Sequence, residues 1–318
     1  MKFRTEVSIA QSDKKIEPES RIFSIGSCFA TEMAELLSKG QLQTLSNPYG
    51  TLFNPWSIAN AVQRLHDSRF YTEEDLIQYD DLFISLDHHS SFNQDYAHKT
   101  LAKINEKIEE GNRFLQSADF VIVTLGSSFI YDFLPKNRPV ANCHKIPGKF
   151  FEKRLLTEKE IADSLNTVIA NLIDICPEGV KILLSVSPVR HTKDGMIRNS
   201  LSKAKLIAAA HAVADDFEHC TYLPAYEILM DDLRDYRFYK DDLIHPNSQA
   251  VNYIFELFGN AYFSDETMDF VEENFRISQA LHHRPADEKS AKYLEFSAKV
   301  QERIAKQQEK VKHRIFQD

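Results

Sequence analysis

The stretch that decides the fold is Arg21 to Ala30, which has the sequence RIFSIGSCFA. Its first half is an apolar run typical of a short buried strand, and apolar residues recur at helical spacing after it. Gly26 and Ser27 therefore lie at a strand-to-helix corner, where the start of a helix offers unpaired N–H donors. A serine exposed at such a corner can act as a nucleophile, but Gly-Ser also ends many strands and caps many helices. On these residues alone both interpretations stay open.

Strands and helices alternate along the rest of the chain. Further strands are predicted over Phe120 to Leu125 and Lys181 to Val186, with a weaker one over Thr221 to Leu223. Helices are predicted over Trp56 to Leu65, Ala97 to Gln116, Glu158 to Cys176, Ser200 to Phe217 and Ser248 to Phe258. This alternation predicts an α/β protein, a three-layer α/β/α sandwich with a doubly wound, mainly parallel sheet. In such a sheet ligands bind at the carboxyl ends of the strands.

The chain is predicted to form one large domain, residues 1–284, followed by a charged helical tail, residues 285–318. Within the domain, residues 67–98 are rich in aromatic and polar side chains without periodicity. We interpret this segment either as an insertion near the rim of a site or as an excursion that only covers the sheet. Apolar residues in the tail recur every three to four positions, which predicts a helix that packs on the body or pairs with another subunit.

Composition narrows the set of partners. The 318 residues carry a net charge of −9 with no basic block, so nucleic acid is not expected as a partner. No apolar stretch is long enough to span a membrane, and the N-terminus lacks the apolar run of a secretory signal. The four cysteines are scattered without a C-x-x-C pair. These features predict a cytoplasmic protein with reduced thiols and no membrane partner.

A second candidate segment reads DDLIHPN and contains Asp242 and His245. A general base for a serine needs an imidazole, and that imidazole needs an acceptor on its other nitrogen. Asp242 and His245, three residues apart before the predicted helix at Ser248, can supply both. A lone histidine before proline is more often a surface or capping residue. The combination of a corner serine after the first strand and Asp-x-x-His after the last one favours a catalytic interpretation.

Several segments together resemble one known family. The run from Gly26 to Ala30 spells GSCFA, the signature of the GSCFA family, and later segments resemble its other marked segments. These are NPYG at Asn47 to Gly50, FNP at Phe53 to Pro55 and SPVR at Ser187 to Arg190. The family is grouped with the SGNH, or GDSL-like, hydrolases. The resemblance implies a flavodoxin-like fold of the SGNH-hydrolase type and a serine esterase that needs no cofactor.

The resemblance also implies roles for individual residues. Ser27 matches the nucleophile, His245 the general base and Asp242 the carboxylate that orients it. The oxyanion hole would be formed by the N–H groups of Ser27 and Gly50. Ser128 stands where the superfamily places an asparagine in its Gly-x-Asn-Asp block, and it would supply a hydroxyl donor instead.

Five other residues have weaker assignments. Asn54 is a second candidate for the missing polar donor. Arg190, His191 and Lys193 follow a predicted strand and are candidates for binding an anionic substrate group, although a solvated loop explains them equally well. Cys28 is a weaker candidate nucleophile than Ser27, because we expect its side chain to turn into the packing between sheet and helix. The paired histidines of the chain lack the third ligand that a catalytic zinc needs, so no metal is assigned.

The expected function is serine-dependent removal of an acetyl-like acyl group from a carbohydrate or another small polar ester. Two alternatives stay open. An acyltransferase would pass the same acyl group to a glycan hydroxyl, and a binding module would keep the fold without turnover. The departure from Gly-x-Asn-Asp at residues 126–129 makes the binding module a serious alternative.

Overall fold

A computed structural model describes residues 4–283 and 290–316. The strands are β1 (Arg21–Gly26), β2 (Gln43–Ser46), β3 (Leu76–Tyr79), β4 (Leu82–Ser85), β5 (Phe120–Leu125), β6 (Phe129–Phe133), β7 (Arg138–Val140), β8 (Phe151–Leu155), β9 (Lys181–Val186) and β10 (Cys220–Leu223). The helices are α1 (Cys28–Lys39), α2 (Pro55–His66), α3 (Ala97–Leu115), α4 (Glu158–Ile175), α5 (Met196–Asp216), α6 (Ala225–Glu227), α7 (Ser248–Tyr262), α8 (Asp265–Leu281) and α9 (Ala291–Gln308).

The main sheet has the spatial order β10-β9-β5-β1-β2, and every neighbouring pair in it runs parallel. Numbered along the chain, this is the 2-1-3-4-5 order of flavodoxin-like folds. The chain moves outward from β1 to β2 and then returns to β5 on the other side of β1. The strand order therefore reverses between β1 and β5, which is where ligands bind in such sheets. The predicted doubly wound parallel sheet is confirmed.

Helices cover both faces of this sheet. Neighbouring residues of β1 belong to different cores, because successive side chains of a strand point to opposite faces. Phe23 packs with residues of α2, α3, α4 and α5, whereas Ile22 packs with residues of α1, α7 and α8. The central strands are buried on both faces, as their continuous apolar sequences predict. The predicted three-layer α/β/α sandwich is confirmed.

Two small antiparallel sheets lie outside the main sheet. The segment predicted as an insertion contains the hairpin β3–β4. Residues 129–155 contain a second sheet, β7-β6-β8, which the sequence pattern did not predict. The two sheets share a buried apolar cluster that includes Ile84, Leu86, Phe133 and Val140. We call residues 129–155 the cover, because they close one side of the cavity described below.

The boundary predicted near residue 285 lies outside the described residues. In the described part of the tail, α9 contacts α8, and Arg303 pairs with Glu273 at 2.6 Å. Val311 and Ile315 are buried in the same core as Ile22. The described tail residues thus pack back on the body. In the described part of the chain, no helix has the length and apolar character needed to cross a membrane.

Candidate active site

The corner between β1 and α1 is shaped by close contact between two backbones. Gly26 has a φ of 141°, and a Cβ at this position would lie 2.1 Å from the carbonyl oxygen of Thr124 in β5. Only glycine fits this approach. The next residue, Ser27, precedes α1 as its N-cap, yet its side chain makes no capping hydrogen bond. The corner is therefore built without using the Ser27 hydroxyl.

The Ser27 oxygen is buried and free. The residue is 2% exposed, and its Oγ has no hydrogen-bond partner among the described residues. A buried hydroxyl without a partner costs free energy, of the order of 1–3 kcal/mol. A structural cap would have gained a hydrogen bond, so the capping interpretation does not account for this serine.

Ser27 lines a cavity of about 680 Å³ at the carboxyl ends of β1, β5 and β9. This volume lies in the usual range of small-molecule sites. The sheet side of the cavity includes Asn54, Gly126, Ser127 and Ser187, and the opposite side is formed by the cover. Residues 67–98, predicted as the rim, do not contribute to the lining. A groove of about 620 Å³ between α1, α7 and α8 contains none of the predicted site residues.

Asp242 and His245 are joined as the sequence pattern predicts. His245 Nδ1 lies 2.7 Å from Asp242 Oδ2, and Asp242 Oδ1 accepts hydrogen bonds from the N–H groups of His245 (3.0 Å) and Ile244 (2.8 Å). These donors, first the backbone N–H and then the imidazole of His245, hold the pKa of Asp242 far below its usual value. Asp242 is thus kept as a carboxylate that fixes the His245 ring.

The loop that carries this pair is attached to the cavity edge. Arg190 donates its N–H to the Ile244 carbonyl (3.1 Å), and its guanidinium lies 3.9 Å from the centroid of the Tyr239 ring. Lys240 pairs with Glu32 of α1 at 2.7 Å. These contacts place the loop between the end of β9 and the first turns of α1.

His245 is nevertheless not joined to Ser27. No hydrogen bond links the two residues in the described structure, and neither Asp242 nor His245 lines the cavity. The His245 side chain is 34% exposed, so solvent reaches the imidazole. The structure therefore brings Asp242 and His245 together but does not join His245 to Ser27 by a hydrogen bond.

The two backbone donors expected for an oxyanion are engaged elsewhere. The N–H of Ser27 donates to the Thr124 carbonyl at 3.0 Å, and the N–H of Gly50 donates to Asn47 at 2.7 Å. Gly50 has a φ of 76°, and a Cβ there would lie 2.2 Å from Cβ of His89. The tight turn therefore requires glycine at position 50, and the N–H of Gly50 forms the hydrogen bond that closes the turn.

Ser128 also faces away from the cavity. Its N–H and its Oγ both contact Ser202 Oγ of α5, at 2.8 and 3.0 Å. Ser128 is fully buried and does not line the cavity, whereas its neighbour Ser127 does. The expectation that the Ser128 hydroxyl donates to the oxyanion does not agree with this packing, because that hydroxyl donates to Ser202 of α5.

Asn54 lies on the cavity wall that Ser128 does not reach. Its Oδ1 accepts the N–H of Ser57 at 2.8 Å and so caps α2, which leaves the Nδ2 donor unconsumed by the cap. The preceding carbonyl, of Phe53, accepts the N–H groups of Gly126 and Ser127, each at 2.8 Å. These bonds fix Asn54 beside the end of β5, in the same cavity as Ser27.

The weaker candidates also lie at this cavity. Cys28 is half-buried and lines it, contrary to the expectation that its side chain packs between sheet and helix. Burial raises the pKa of the Cys28 thiol, so an activated thiolate is not favoured there. Arg190 and His191 line the cavity as well, and His191 Nε2 lies 2.8 Å from Asp194.

Three polar residues of α5 form hydrogen bonds to backbone groups of the loops that line the cavity. The sequence pattern did not predict them. Lys203 is 1% exposed and donates to the carbonyls of Gly126 and Ser187, both at 2.6 Å. Burial lowers the pKa of Lys203 to about 7. Ser202 holds Ser128, and Asn199 accepts the N–H of His191 at 2.8 Å.

A sequence pattern could have revealed these α5 residues. They share a helical stripe with the buried residues Leu206, Ala210 and Val213. Polar residues at core positions of an amphipathic helix indicate buried polar partners.

Fold and site together define an α/β/α protein with a buried serine at the switch point of its parallel sheet. A sequence profile of the GSCFA family matches residues 21–258, and the chain belongs to this family. Comparison with curated proteins gives no significant match.

Solved structures show distant likenesses. A DUF4886 family protein from Bacteroides uniformis has a TM-score of 0.40 at 10% identity, with 84% of this chain and 97% of that chain covered. A carbohydrate esterase family 3 protein from Talaromyces cellulolyticus has a TM-score of 0.36 at 8% identity, with 80% and 99% covered. The C-terminal catalytic domain of peptidoglycan O-acetyltransferase A from Streptococcus pneumoniae has a TM-score of 0.36 at 11% identity, with 77% and 93% covered.

Proposed function

We propose that this protein is a serine-dependent ester hydrolase of SGNH type that removes an acetyl-like acyl group from a carbohydrate or another small polar molecule. The observation that carries the proposal is the Ser27 hydroxyl, which is buried, has no partner among the described residues and opens onto the cavity. A nucleophile needs such an oxygen, whereas a helix cap does not. The proposed substrate is a small-molecule or glycan ester, and no cofactor enters the reaction.

In the proposed mechanism Ser27 Oγ attacks the acyl carbon while His245 accepts the serine proton. The alcohol then leaves with that proton, and an acyl-serine remains. Water attacks the acyl carbon and gives a proton to His245. The bond between the acyl carbon and Ser27 Oγ then breaks, His245 returns its proton to Oγ, and the acid product leaves. Asp242 orients His245 throughout. His245 must approach Ser27 for this, and catalytic hydrogen bonds are often long before substrate binds.

For the oxyanion we propose the side chain of Asn54 as the principal donor. Asn54 lines the cavity with Ser27, and its Nδ2 is not consumed by the α2 cap. The N–H groups of Ser27 and Gly50 would first have to leave their present acceptors. An asparagine amide in this position supplies the kind of donor whose removal lowers kcat by about 10²–10³-fold in other serine enzymes.

A binding module is the second candidate. It is favoured by one observation, the absence of a hydrogen bond between His245 and Ser27 in the described structure. In that case Ser27 would contact a bound ligand without forming a covalent bond to it. An acyltransferase shares the acyl-serine with the hydrolase and differs only in the acceptor.

Labelling with a fluorophosphonate probe tests the proposal, because such probes form stable adducts with activated serines. Peptide mass spectrometry should locate the adduct on Ser27, and Ser27→Ala should abolish it. Cys28→Ala serves as the matched control and should still be labelled. An unlabelled wild-type protein would favour the binding module. Product analysis of an acetyl ester with and without an added sugar alcohol separates hydrolysis from acyl transfer.

A further inference from the structure

The charge of the cavity is opposite to that of the protein. The chain has a net charge of −9, yet the cavity lining includes Lys145, Lys153, Arg190 and Lys193. Among the described residues that line it, no aspartate or glutamate occurs. A cavity that gathers cations in an acidic protein is suited to an anionic ligand, because cavities of one charge sign concentrate ligands of the opposite sign.

Two of these cations converge on the cover. The ammonium groups of Lys153 and Lys193 lie 5.4 and 5.9 Å from the centroid of the same ring, that of Tyr131. Both ammonium groups also lie near enough to act on the Cys143 thiol. Burial raises the pKa of this thiol, the two positive charges lower it, and the resulting pKa is about 11. An anion beside Lys193 would offset a positive charge that pairs with no described carboxylate.

One carboxylate is present at this cluster and it is already shared. Asp194 pairs with Lys153 and also contacts His191 Nε2 at 2.8 Å. Lys145 and Lys193 form no ion pair with any described residue. The guanidinium of Arg190 stacks on Tyr239 and contacts the Leu243 carbonyl, so it serves the loop that carries His245. Lys145 and Lys193 are therefore the cations left for a ligand.

We propose that the cover side of the cavity binds an oxyanion group of the substrate, a carboxylate, phosphate or sulfate, through Lys145 and Lys193. Lys153 lies beside them and is neutralised by Asp194. The aromatic rings of Phe129, Tyr131 and Phe151 line the same side and would contact the uncharged part of the molecule. This inference rests on the proposed function, because it names the substrate class of that same site: an ester that carries a negative charge.

Matched pairs of esters test the proposal by kinetics. One pair is 4-acetoxybenzoate and its neutral methyl ester, which places the charge on the alcohol part. The other is 4-nitrophenyl succinate and its neutral methyl ester, which places the charge on the acyl part. The wild type should prefer the anionic member of at least one pair in kcat/KM, after correction for alkaline hydrolysis rates. Whichever pair shows the preference identifies the part of the ester that faces the cover.

The double variant Lys145→Gln/Lys193→Gln should lower that preference by about tenfold for each lysine, mainly through KM, since hydrogen bonds to charged groups contribute at this level. The double variant Lys299→Gln/Lys306→Gln is the matched control. This control also removes two positive charges, but from exposed ion pairs on α9, and it should keep the wild-type preference for the anionic ester. Melting temperatures verify that both variants are folded.

A binding measurement separates failure of this inference from failure of the proposed function. Calorimetric titration of Ser27→Ala with 4-acetoxybenzoate and with 4-nitrophenyl succinate reports affinity without turnover. If no ester is hydrolysed but either anionic probe binds more weakly when both lysines are replaced in Ser27→Ala, the anion site stands and the hydrolase does not. If the anionic esters react and bind no better than their neutral partners, or the lysine variant matches the α9 control, the anion site is refuted.

Discussion

The two sides of the cavity are built in different ways. The sheet side consists of the ends of β1, β5 and β9, where backbones approach closely and side chains are buried. The cover consists of short antiparallel strands with half-exposed basic and aromatic side chains. The sheet side carries the proposed nucleophile. Lys145 and Lys153 lie on the cover, and Lys193 lies on the loop after β9, where its ammonium faces Tyr131 of the cover. From this difference we expect reaction chemistry to belong to the sheet side and substrate selection to the cover and the loop after β9.

Replacing Ser27 should have the largest effect, because it removes the proposed nucleophile from the sheet side. We expect Ser27→Ala to lower kcat for an aryl acetate by about 10⁴-fold or more, as nucleophile removal does in serine proteases. The melting temperature should not fall, since the hydroxyl makes no hydrogen bond to any described residue. Steady-state kinetics and thermal unfolding check both expectations.

Cys28→Ala is the control for this experiment and should retain activity within about tenfold, because burial raises the pKa of its thiol. Wild-type turnover by Ser27→Ala together with an inactive Cys28→Ala would transfer the nucleophile to the cysteine.

Asp242→Asn should have the next largest effect. The amide keeps the shape but favours the wrong tautomer of His245, and we expect kcat to fall by about 10²-fold or more. Because its hydrogen bonds depress the pKa of Asp242, the carboxylate contributes stability above its unfolded pKa and loses it only as pH falls through the folded value. Between pH 5 and 9 the contribution of the Asp242 carboxylate itself should therefore be constant.

Kinetics and chemical unfolding at several pH values measure the two effects of Asp242→Asn separately. A lower melting temperature with unchanged kcat would restrict Asp242 to holding the loop through the N–H groups of Ile244 and His245.

The sheet side was largely predictable from the sequence, and the physical reason is local. Apolar runs such as Phe120 to Leu125 and the Gly26-Ser27 corner depend on neighbouring residues, so periodicity and turn chemistry reveal them. The Asp242–His245 pair is also local, since its members are three positions apart in the sequence. What the pattern could not show is which N–H groups are free. Ser27 and Gly50 donate to Thr124 and Asn47, and those partners depend on how strands and turns meet in space.

The cover was not predictable in the same way. Its strands contain three to five residues each, and their stability depends on packing against the β3–β4 hairpin through Ile84 and Leu86. Short strands with mixed polar and apolar residues give little periodicity. The position of Lys203 was missed for a related reason, because a lysine in a helix is normally solvent-exposed and its carbonyl partners lie far away in sequence.

Lys203→Met tests the contribution of the buried Lys203 ammonium, which bonds the loops after β5 and β9, to the stability of the protein. With a folded pKa of about 7 and an ordinary unfolded value, Lys203 binds fewer protons folded than unfolded between pH 7 and 10. Stability should rise with pH over that window, by up to about 1.4 kcal/mol per pH unit. Below pH 7 the buried ammonium destabilises the fold by a constant amount, so this group adds no pH dependence there. Lys203→Met should lose this rise, which denaturant unfolding at pH 7.5 and 9.5 measures.

Lys159→Met is the matched control for Lys203→Met. Lys159 is 83% exposed on α4 and pairs with Asp163, so this variant should keep the wild-type dependence on pH. A Lys203→Met curve that runs parallel to the wild-type curve would show that the Lys203 ammonium stays charged between its two carbonyl acceptors.

Arg154→Gln should have the smallest effect. It tests most directly whether the cover contributes to substrate binding and not to the reaction at Ser27. Arg154 ties the cover to the body: its Nε contacts Asp132 of β6 at 2.6 Å and its Nη1 contacts Glu160 of α4 at 2.8 Å. The side chain is 35% exposed, so solvent weakens these pairs and their loss should cost about 0.2–1 kcal/mol. The Thr157–Glu160 capping box does not depend on Arg154 and should keep α4 intact.

If the cover selects substrate, loosening it with Arg154→Gln should raise KM for the anionic esters several-fold and leave kcat near the wild-type value. Arg276→Gln, which breaks an exposed pair on α8, is the control and should change neither parameter. The informative contrary result is a lower kcat at unchanged KM. It would mean that the cover helps to form the reacting geometry at Ser27, because a part that only binds substrate alters ground-state and transition-state binding equally.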